Sequence, residues 1–523
     1  MDGITNPILT SLIDEDNKTL TENGALTNKS TLNDLLDFFA SGGSMRERSE
    51  DDIVKVFQNA FAYDKRSALR LLFYFRDCRG GQGERRLFRT IIKWLANYHS
   101  EYLIKNLDII PFFGRWDDLF VLFDTKCEEQ MMDFVAEQIR KDSDDYMECR
   151  SISLLSKWMP SINTSCKKTV YYAKKFLKKL NISEKEYRKF LSKLRRYSNV
   201  VEKQMCLNEW TSIEYPKVPS LASLRYTNAF KKHDNVRYSK YIEDLIKGKT
   251  KINAKTLYPY DIVRKIFNNR HRDMSEDEIN VLDSQWKSLP NYYPEDSDKN
   301  ILVVCDISGS MYDGIPNISV SVSLAIYCAE KMKGGFKDHF ITFSREPSIV
   351  KIKGSNIYEK TLNVLNRTEG YNTDIIAVFR MLLNNILSIQ EKTGRKLSDK
   401  ELPSHIMIVS DMEFDQNYYN SRLRYIENFD DALNVMEEFV TKTTYQDIKN
   451  MYKEAHIPLP KIIWWNVGGR KSTFPITKTD SGHILISGCS PSILTSIFSN
   501  EDFNPESFMF DVINNKRYDV VKV

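Results

Sequence analysis

The chain has 523 residues and a mass of 61.2 kDa, too many for one hydrophobic core and enough for two or three domains. Hydrophobic residues at 41% and charged residues at 28% exclude a disordered chain; no apolar run approaches the roughly 18–20 residues needed to cross a bilayer. The net charge is only +4, yet from Lys157 to Lys265 there are 26 Lys and Arg against 9 Asp and Glu, an excess of 17 that leaves the rest of the chain at −13.

Residues 1–30, rich in Asn, Thr and Asp and without periodicity, read as a flexible leader. Their polar, acidic start has no signal-peptide core, so an intracellular, cytoplasmic protein with no membrane partner is expected. From 31 to 285 apolar residues recur every three or four positions. "STLNDLLDFFA" begins with a capping serine or threonine, and "SEDDIVKVFQNAFAYDKRSALRLLFYFRD" continues the pattern. "RRLFRTIIKWLANYH", "WDDLFVLFD", "CEEQMMDFVAEQIRKD", "TVYYAKKFLKKL" and "SEKEYRKFLSKLRRY" extend it. Amphipathic helices with short connections and no fixed-period repeat predict an all-α helical-repeat region of stacked, HEAT-like pairs. Residues 286–300 are rich in Pro, Asp and Ser and form a linker.

Beyond 300 the texture changes. "NILVVCDIS", "SHIMIVSDM", "KIIWWNV" and "GHILIS" are short β-branched runs, with "HFITFS" and "SIVKIKG" as two consecutive strands joined by "REP". Helical stretches lie between them, "SVSVSLAIYCAEKM", "TDIIAVFRMLLNNILSIQ" and "SPSILTSIFS". This alternation predicts an α/β doubly wound domain over 301–523, with ligands at the carboxyl ends of the strands.

The stretch "ILVVCDISGSMYDG" delivers Asp306, Ser308 and Ser310 to such an end, and five chemistries compete for it. A calcium EF-hand loop needs Gly at its sixth position and Glu at its twelfth; Met311 and Asn317 stand there. An aspartyl-phosphate phosphatase of the haloacid-dehalogenase type needs a second Asp where this chain has Ser308. Neither a nucleophile elbow nor a Walker loop is present. The remaining chemistry is a site for a hard divalent cation, built from carboxylate and hydroxyl oxygens. Thr373 in "EGYNTDII" and Asp411 in "IMIVSDMEFD" stand at other turns on the same sheet edge to complete it.

"DISGSM", "NTD" and "SDMEFD" together resemble the metal-ion-dependent adhesion site of a von Willebrand factor A domain, and "KIIWWNVG" and "ISGCSPSILTSIF" resemble that domain's last strands and helix. The resemblance implies that Ser308, Ser310 and Thr373 ligate Mg²⁺, or another divalent cation such as Mn²⁺ or Ca²⁺, through hydroxyls. Asp306 and Asp411 would act directly or through water, and a protein partner's carboxylate would complete the shell. The first half, through "RDCRGGQGERRLF", "FFGRWDDLFVLF", "LLSKWMPSINTS", "EYRKFLSKLRRYSNVVEKQM" and "VPSLASLRYTNAFKKHDNVRYSKYIEDL", resembles a domain-of-unknown-function family with a helical part and an A domain behind it. The layout is similar to TROVE-module proteins, the Ro autoantigen among them, in which a ring of helical repeats binds RNA and an A domain closes it.

Two functions follow. One is a non-enzymatic RNA-binding scaffold using Lys174, Lys175, Lys178, Lys179, Arg188, Lys193, Arg195 and Arg196 on phosphates, with Tyr171, Tyr172, Tyr187 and Tyr197 placed to stack on bases or to fill the core. The other is a protein-interaction module acting through the metal, with no nucleic-acid role. Catalysis is not expected. The glycines of "RDCRGGQGERR" read as a turn between helices rather than a phosphate cradle, and Asp77 and Glu84 as partners of nearby arginines. "FGRWDDL" starts a helix with acidic residues at its positive end. The seven histidines (His99, His233, His271, His339, His405, His456 and His483) are dispersed, and the eight cysteines show no metal or disulfide spacing.

Overall fold

Two short strands near the amino terminus, β1 (Lys18–Leu20) and β2 (Leu26–Asn28), pair as an antiparallel hairpin in a stretch whose polarity predicts only a loose leader. The computed structural model describes residues 17–198, 200–254, 257–294, 299–313, 316–344, 346–367, 373–415 and 443–523. The first part of the expected leader and residues 295–298 of the expected linker lie outside these. The chain divides into two compact units, one drawn from residues up to Leu71 and from Tyr258–Asn515, the other from Leu72–Leu257 and Lys516–Val523.

The first unit is built on a six-stranded sheet of β3 (Ile301–Cys305), β4 (His339–Thr342), β5 (Ile349–Lys351), β6 (His405–Ser410), β7 (Lys461–Asn466) and β8 (His483–Ser487), in the order β5-β4-β3-β6-β7-β8. All pairs are parallel except β4 with β5, so the sheet is mixed, with an antiparallel edge strand where "REP" makes too short a connection for a crossover. Every residue of β3, β6 and β8 is buried, as a sheet covered on both faces requires. Helices Asn317–Lys331, Ile375–Thr393 and Thr444–Glu454 supply cover. β3 leads outward to β4 and β5, and the chain then returns to lay β6 on the other side of β3. That reversal is the switch point of the sheet.

Apolar faces explain why this unit reaches beyond 301–523. The helix Asp34–Gly42, capped by Asn33 rather than by the preceding Ser or Thr, buries Leu35, Leu36, Phe38 and Phe39, with Phe39 edge-on to Phe508. Helix Pro259–Asn268 buries Ile262, Val263 and Ile266 and packs against Asn317–Lys331. The hairpin is held by hydrogen bonds of Asn28 with Phe474 in both directions. These segments belong with the sheet although the sequence assigns them to leader and helical region.

The second unit is helical, with Arg85–Tyr98, Glu128–Met147, Lys167–Leu180, Glu184–Tyr197, Ser220–His233 and Asn235–Ile246 as its longer helices. "WDDLFVL" forms a 3-10 helix over Trp116–Leu122, with Trp116 stacked on Phe134. The fully buried Asp118 accepts from Arg76 Nε and Arg89 Nε, both at 2.7 Å, and from the Arg115 amide at 2.9 Å. In the glycine turn the amides of Gly81 and Gly83 donate to Asp77 O, and those of Gln82 and Glu84 to Tyr74 O and Phe75 O, so they are not presented to a phosphate. Asp77 pairs with Arg517, far along the chain rather than nearby. Among the described residues no helix is long and apolar enough to cross a membrane.

Two predictions follow from this packing. A Cβ on Gly43 would stand 2.4 Å from the Ser487 backbone carbonyl, while one on Gly335 meets nothing within 4 Å. Gly43→Ala should therefore lower stability by about 2 kcal/mol or more in denaturant unfolding, and Gly335→Ala should stay within about 0.5 kcal/mol. The second concerns His405 and His483, which open β6 and β8. Burial pushes His405 down to about 3, helped by Lys299 and Lys461, and His483 down to about 4, with Asp480 opposing and Lys449 adding. Each has a buried ring nitrogen with no partner among the described residues. The unfolded chain takes up a proton near pH 6.5 that the fold refuses, so this stability is complete above about 6.5 and is lost as pH falls towards 4. The loss is at most about 1.4 kcal/mol per pH unit per histidine. The double variant His405→Gln/His483→Gln should flatten the melting profile in that window; an unchanged slope would refute the assignment.

Candidate metal centre

The site begins with strand register. β3 and β6 pair in parallel with Cys305 opposite Val409, so the residues just past these two carboxyl ends arrive side by side. Asp306 is fully buried there, its amide donating to Val409 O at 3.3 Å. Its Oδ1 accepts from the Ser308 amide at 2.9 Å, and its Oδ2 accepts from Ser410 Oγ at 2.6 Å. The first contact folds "DIS" into a tight turn that brings Ser308 Oγ and Ser310 Oγ to 3.1 Å of each other.

Ser410 Oγ also lies 3.4 Å from Asp411 Oδ1, but one hydroxyl hydrogen cannot serve both carboxylates. Asp411 Oδ1 accepts from the Glu413 amide at 3.2 Å, and its buried Oδ2 has no hydrogen-bond partner among the described residues. Burial, and then the charge of Asp411, push the Asp306 carboxyl up to about 7. Two carboxylates out of water, short of one donor, are unfavourable unless a positive charge or a proton joins them.

Thr373 is buried on the turn before helix Ile375–Thr393 and contacts the segment that follows Asp411. Its Oγ1 donates to Glu413 O at 3.2 Å, its amide donates to Asp415 Oδ2 at 2.6 Å, and its carbonyl accepts from the Asp415 amide at 3.1 Å. The structure thus brings Asp306, Ser308, Ser310 and Asp411 to one strand edge and docks Thr373 on the segment that follows Asp411.

Four residues were not singled out from sequence. Ser410 donates to Asp306 beside Asp411, and Asp374 caps helix Ile375–Thr393. Glu413 is buried and accepts from the Glu22 and Lys471 amides, and Asp415 holds Thr373. Burial raises the carboxyls of Asp374, Glu413 and Asp415. The spacing of "DMEFD", with an acidic residue at every other position, is the available signal for two of them, Glu413 and Asp415.

Among the described residues no three His, Cys, Asp or Glu side chains converge as a metal-holding group. The donors are instead two carboxylates and hydroxyls, which is an oxygen-only set suited to a hard cation such as Mg²⁺. The unpartnered Asp411 Oδ2 and the single serine hydrogen shared by two carboxylates are the observations that fit one.

The basic residues of the helical unit divide into two groups. Lys175 Nζ binds Asp124 at 2.9 Å and Glu128 at 2.7 Å; burial opposes its charge, but the bonds to Glu128, Tyr171 and Asp124 outweigh it and raise its pKa. Lys179 binds Glu129 and Asp133, both at 2.5 Å, and Arg196 reaches Glu209 at 3.5 Å. Arg195 donates to the carbonyls of Ser156 and Met159. Lys174, Lys178, Arg188 and Lys193 are exposed, with no ion pair among the described residues. Two of the aromatics are taken up by the fold: Tyr172 stacks on Phe123 with ring centroids 3.9 Å apart, and buried Tyr187 donates to Pro160 O. Tyr171 and Tyr197 are exposed, their hydroxyls donating to Asp124 and to Arg150 O. All eight cysteines are free.

Comparison with known proteins matches residues 300–521 to a family described as Domain of unknown function (DUF7788). Residues 21–133 and 129–292 match one described as Domain of unknown function (DUF2828). Uncharacterized protein L728 of Acanthamoeba polyphaga mimivirus is 27% identical over 534 residues, a span that takes in 95% of this chain and 87% of that protein. The second match runs from 21 to 292, more than half of the 523 residues, and the chain belongs to the DUF2828 family.

Proposed function

We propose that this chain is a non-enzymatic binding protein whose sheet-bearing unit, similar to a von Willebrand factor A domain, holds a divalent cation and uses it to capture a carboxylate on a protein partner. The observation that carries this is the buried, unpartnered Asp411 Oδ2 beside Asp306 at the switch point of the sheet. Asp306 and Asp411, with the hydroxyls of Ser308, Ser310 and Thr373, would hold Mg²⁺. When bound, the ion supplies positive charge and an open position for an oxygen ligand. Asp306 suits holding rather than attack: both its oxygens accept hydrogen bonds, and Ser308 stands where a phosphatase would need a second carboxylate. The free cysteines suit a reducing, intracellular setting.

A second role, RNA binding by a TROVE-like helical unit, is favoured by one observation. Lys174, Lys178, Arg188 and Lys193 remain exposed without acidic partners, whereas Lys175 and Lys179 are neutralised. Backbone phosphates would be their natural counterions, with an affinity that falls as salt rises.

The metal reading is tested by thermal unfolding with and without Mg²⁺ or Mn²⁺. At one hundred times its Kd, cation binding stabilises the folded state by about 2.7 kcal/mol and should raise the midpoint by a few degrees. Asp306→Asn should remove that rise and, by relieving the like charge beside Asp411, leave the metal-free protein as stable or more so above neutral pH. A turn that merely caps structure would instead lose stability in the variant and show no cation effect in the wild type.

RNA binding is tested by filter binding at low salt. The double variant Lys174→Glu/Lys178→Glu should weaken it about tenfold or more. Lys175→Ala should lower the melting midpoint rather than the affinity.

A further inference from the structure

The helical unit contains two adjoining cavities of about 690 and 290 Å³ that share Ser161, Asn163, Arg195 and Lys203 in their walls. Arg195 is built into place: Nε donates to Ser156 O at 2.7 Å, Nη2 to Met159 O at 2.8 Å and Nη1 to Ser161 Oγ at 3.2 Å. A guanidinium has five N–H donors, so two remain for a ligand. No carboxylate pairs with it among the described residues, and burial works against its charge. Half-buried Lys203 likewise has no acidic partner among them. Arg188 lines the smaller cavity, and the one carboxylate on the larger wall, Glu202, faces Lys157 at 3.4 Å.

Holding the Arg195 guanidinium partly out of water against two carbonyls and a hydroxyl is unfavourable without a counter-charge. Half-buried Lys203 on the same wall adds a second uncompensated cation, so the wall calls for an anion. Two uncompensated charges match a phosphomonoester, which carries nearly two negative charges at neutral pH, better than a single carboxylate. The fixed planar fork of Arg195 suits two phosphoryl oxygens, and Lys203 adds a point charge. The larger cavity falls within the roughly 300–1,000 Å³ that small-molecule ligands occupy.

We propose that Arg195 and Lys203 form a seat for a phosphomonoester, with Arg188 at its outer side and the larger cavity receiving the rest of a nucleotide-sized molecule. The seat does not depend on the RNA-binding role: the phosphate comes either from a free nucleotide or from the terminal phosphate of an RNA.

Calorimetric titration of the full chain distinguishes these sources, with inorganic phosphate, AMP, and one oligoribonucleotide in terminally phosphorylated and unphosphorylated forms as probes. The expected result is saturable binding of AMP or phosphate that weakens with salt, and a preference of about tenfold or more for the phosphorylated oligonucleotide if RNA is the source. Lys203→Gln, whose side chain anchors nothing in the fold, should weaken every phosphate-bearing probe about tenfold or more at an unchanged melting midpoint. Arg195→Lys, which keeps the charge and loses the fork, should do the same where it folds. AMP binding without RNA binding supports the seat and removes the RNA role. RNA binding that AMP does not compete with and Lys203→Gln does not weaken removes the seat and leaves the RNA role. No saturable binding of phosphate, AMP or the phosphorylated oligonucleotide at millimolar concentration overturns it.

Discussion

The pairing of β3 with β6 is the constraint from which the rest of the site follows. Because the two strands are parallel neighbours in register, the backbone must place Asp306 and Ser410-Asp411 on one edge. Because the chain reverses its direction of travel across the sheet between them, that edge is the switch point of the sheet. The price of this placement is two carboxylates out of water with one serine hydrogen between them. Folding alone does not require that arrangement, since an Asn at either position would satisfy the same turn amides without like-charge repulsion. Two acids kept side by side with one oxygen unpartnered are what the proposed cation would answer.

The sheet that carries this edge is covered from both ends of the chain. Ser487 Oγ, at the end of β8, donates to Phe39 O at 2.6 Å and accepts from the Gly43 amide at 2.9 Å, so one hydroxyl ties an edge strand to an amino-terminal helix. The hairpin reaches the site itself: the Glu22 amide donates to Glu413 Oε2 at 2.7 Å, and Thr21 Oγ1 donates to Phe414 O at 2.7 Å. Residues more than 390 positions away thereby fix the segment that holds Thr373 against the strand end. The division of labour between helical half and sheet half, natural from composition, does not describe how the first unit is made.

What could be read from sequence follows the strength of each physical signal. β3, β6, β7 and β8 were legible because strands buried on both faces must be continuous runs such as "ILVVC" and "HIMIVS", and each ends at a polar turn. Helices Glu184–Tyr197 and Glu128–Met147 were legible from apolar spacing, the former also from Ser183 and Glu186, which close a capping box. The hairpin was not, because three-residue strands in a polar segment have no period to detect; their stability comes from Phe414 and Phe474, hundreds of residues away. "WDDLFVL" tightened into a 3-10 helix because Asp118 is held by Arg76, Arg89 and the Arg115 amide, a tertiary demand that local spacing does not record. At the site, the spacing of Asp306, Ser308 and Ser310 was visible, whereas Ser410 was hidden, since a serine closing an apolar strand looks like any strand end.

Charge shows the same limit and turns it to use. The excess of 17 between Lys157 and Lys265 suggests one broad basic face. Yet Lys175 and Lys179 are neutralised by Asp124, Glu128, Glu129 and Asp133, all of which precede that interval. Long-range pairing therefore removes charge where helix Lys167–Leu180 meets Glu128–Met147 and leaves it elsewhere. A lysine in an ion pair contributes to folding and little to a distant anion, because the pair's field falls off faster than that of a lone charge. The cations that carry the proposed binding roles are those the fold declines to neutralise. On helix Lys167–Leu180 these are Lys174 and Lys178, which face water. At the cavities they are Arg195 and Lys203, where carbonyls and a hydroxyl fix the guanidinium in position without cancelling its charge. The first pair suits a hydrated, sequence-independent backbone contact. The second, partly desolvated and rigid, suits one phosphate in one orientation.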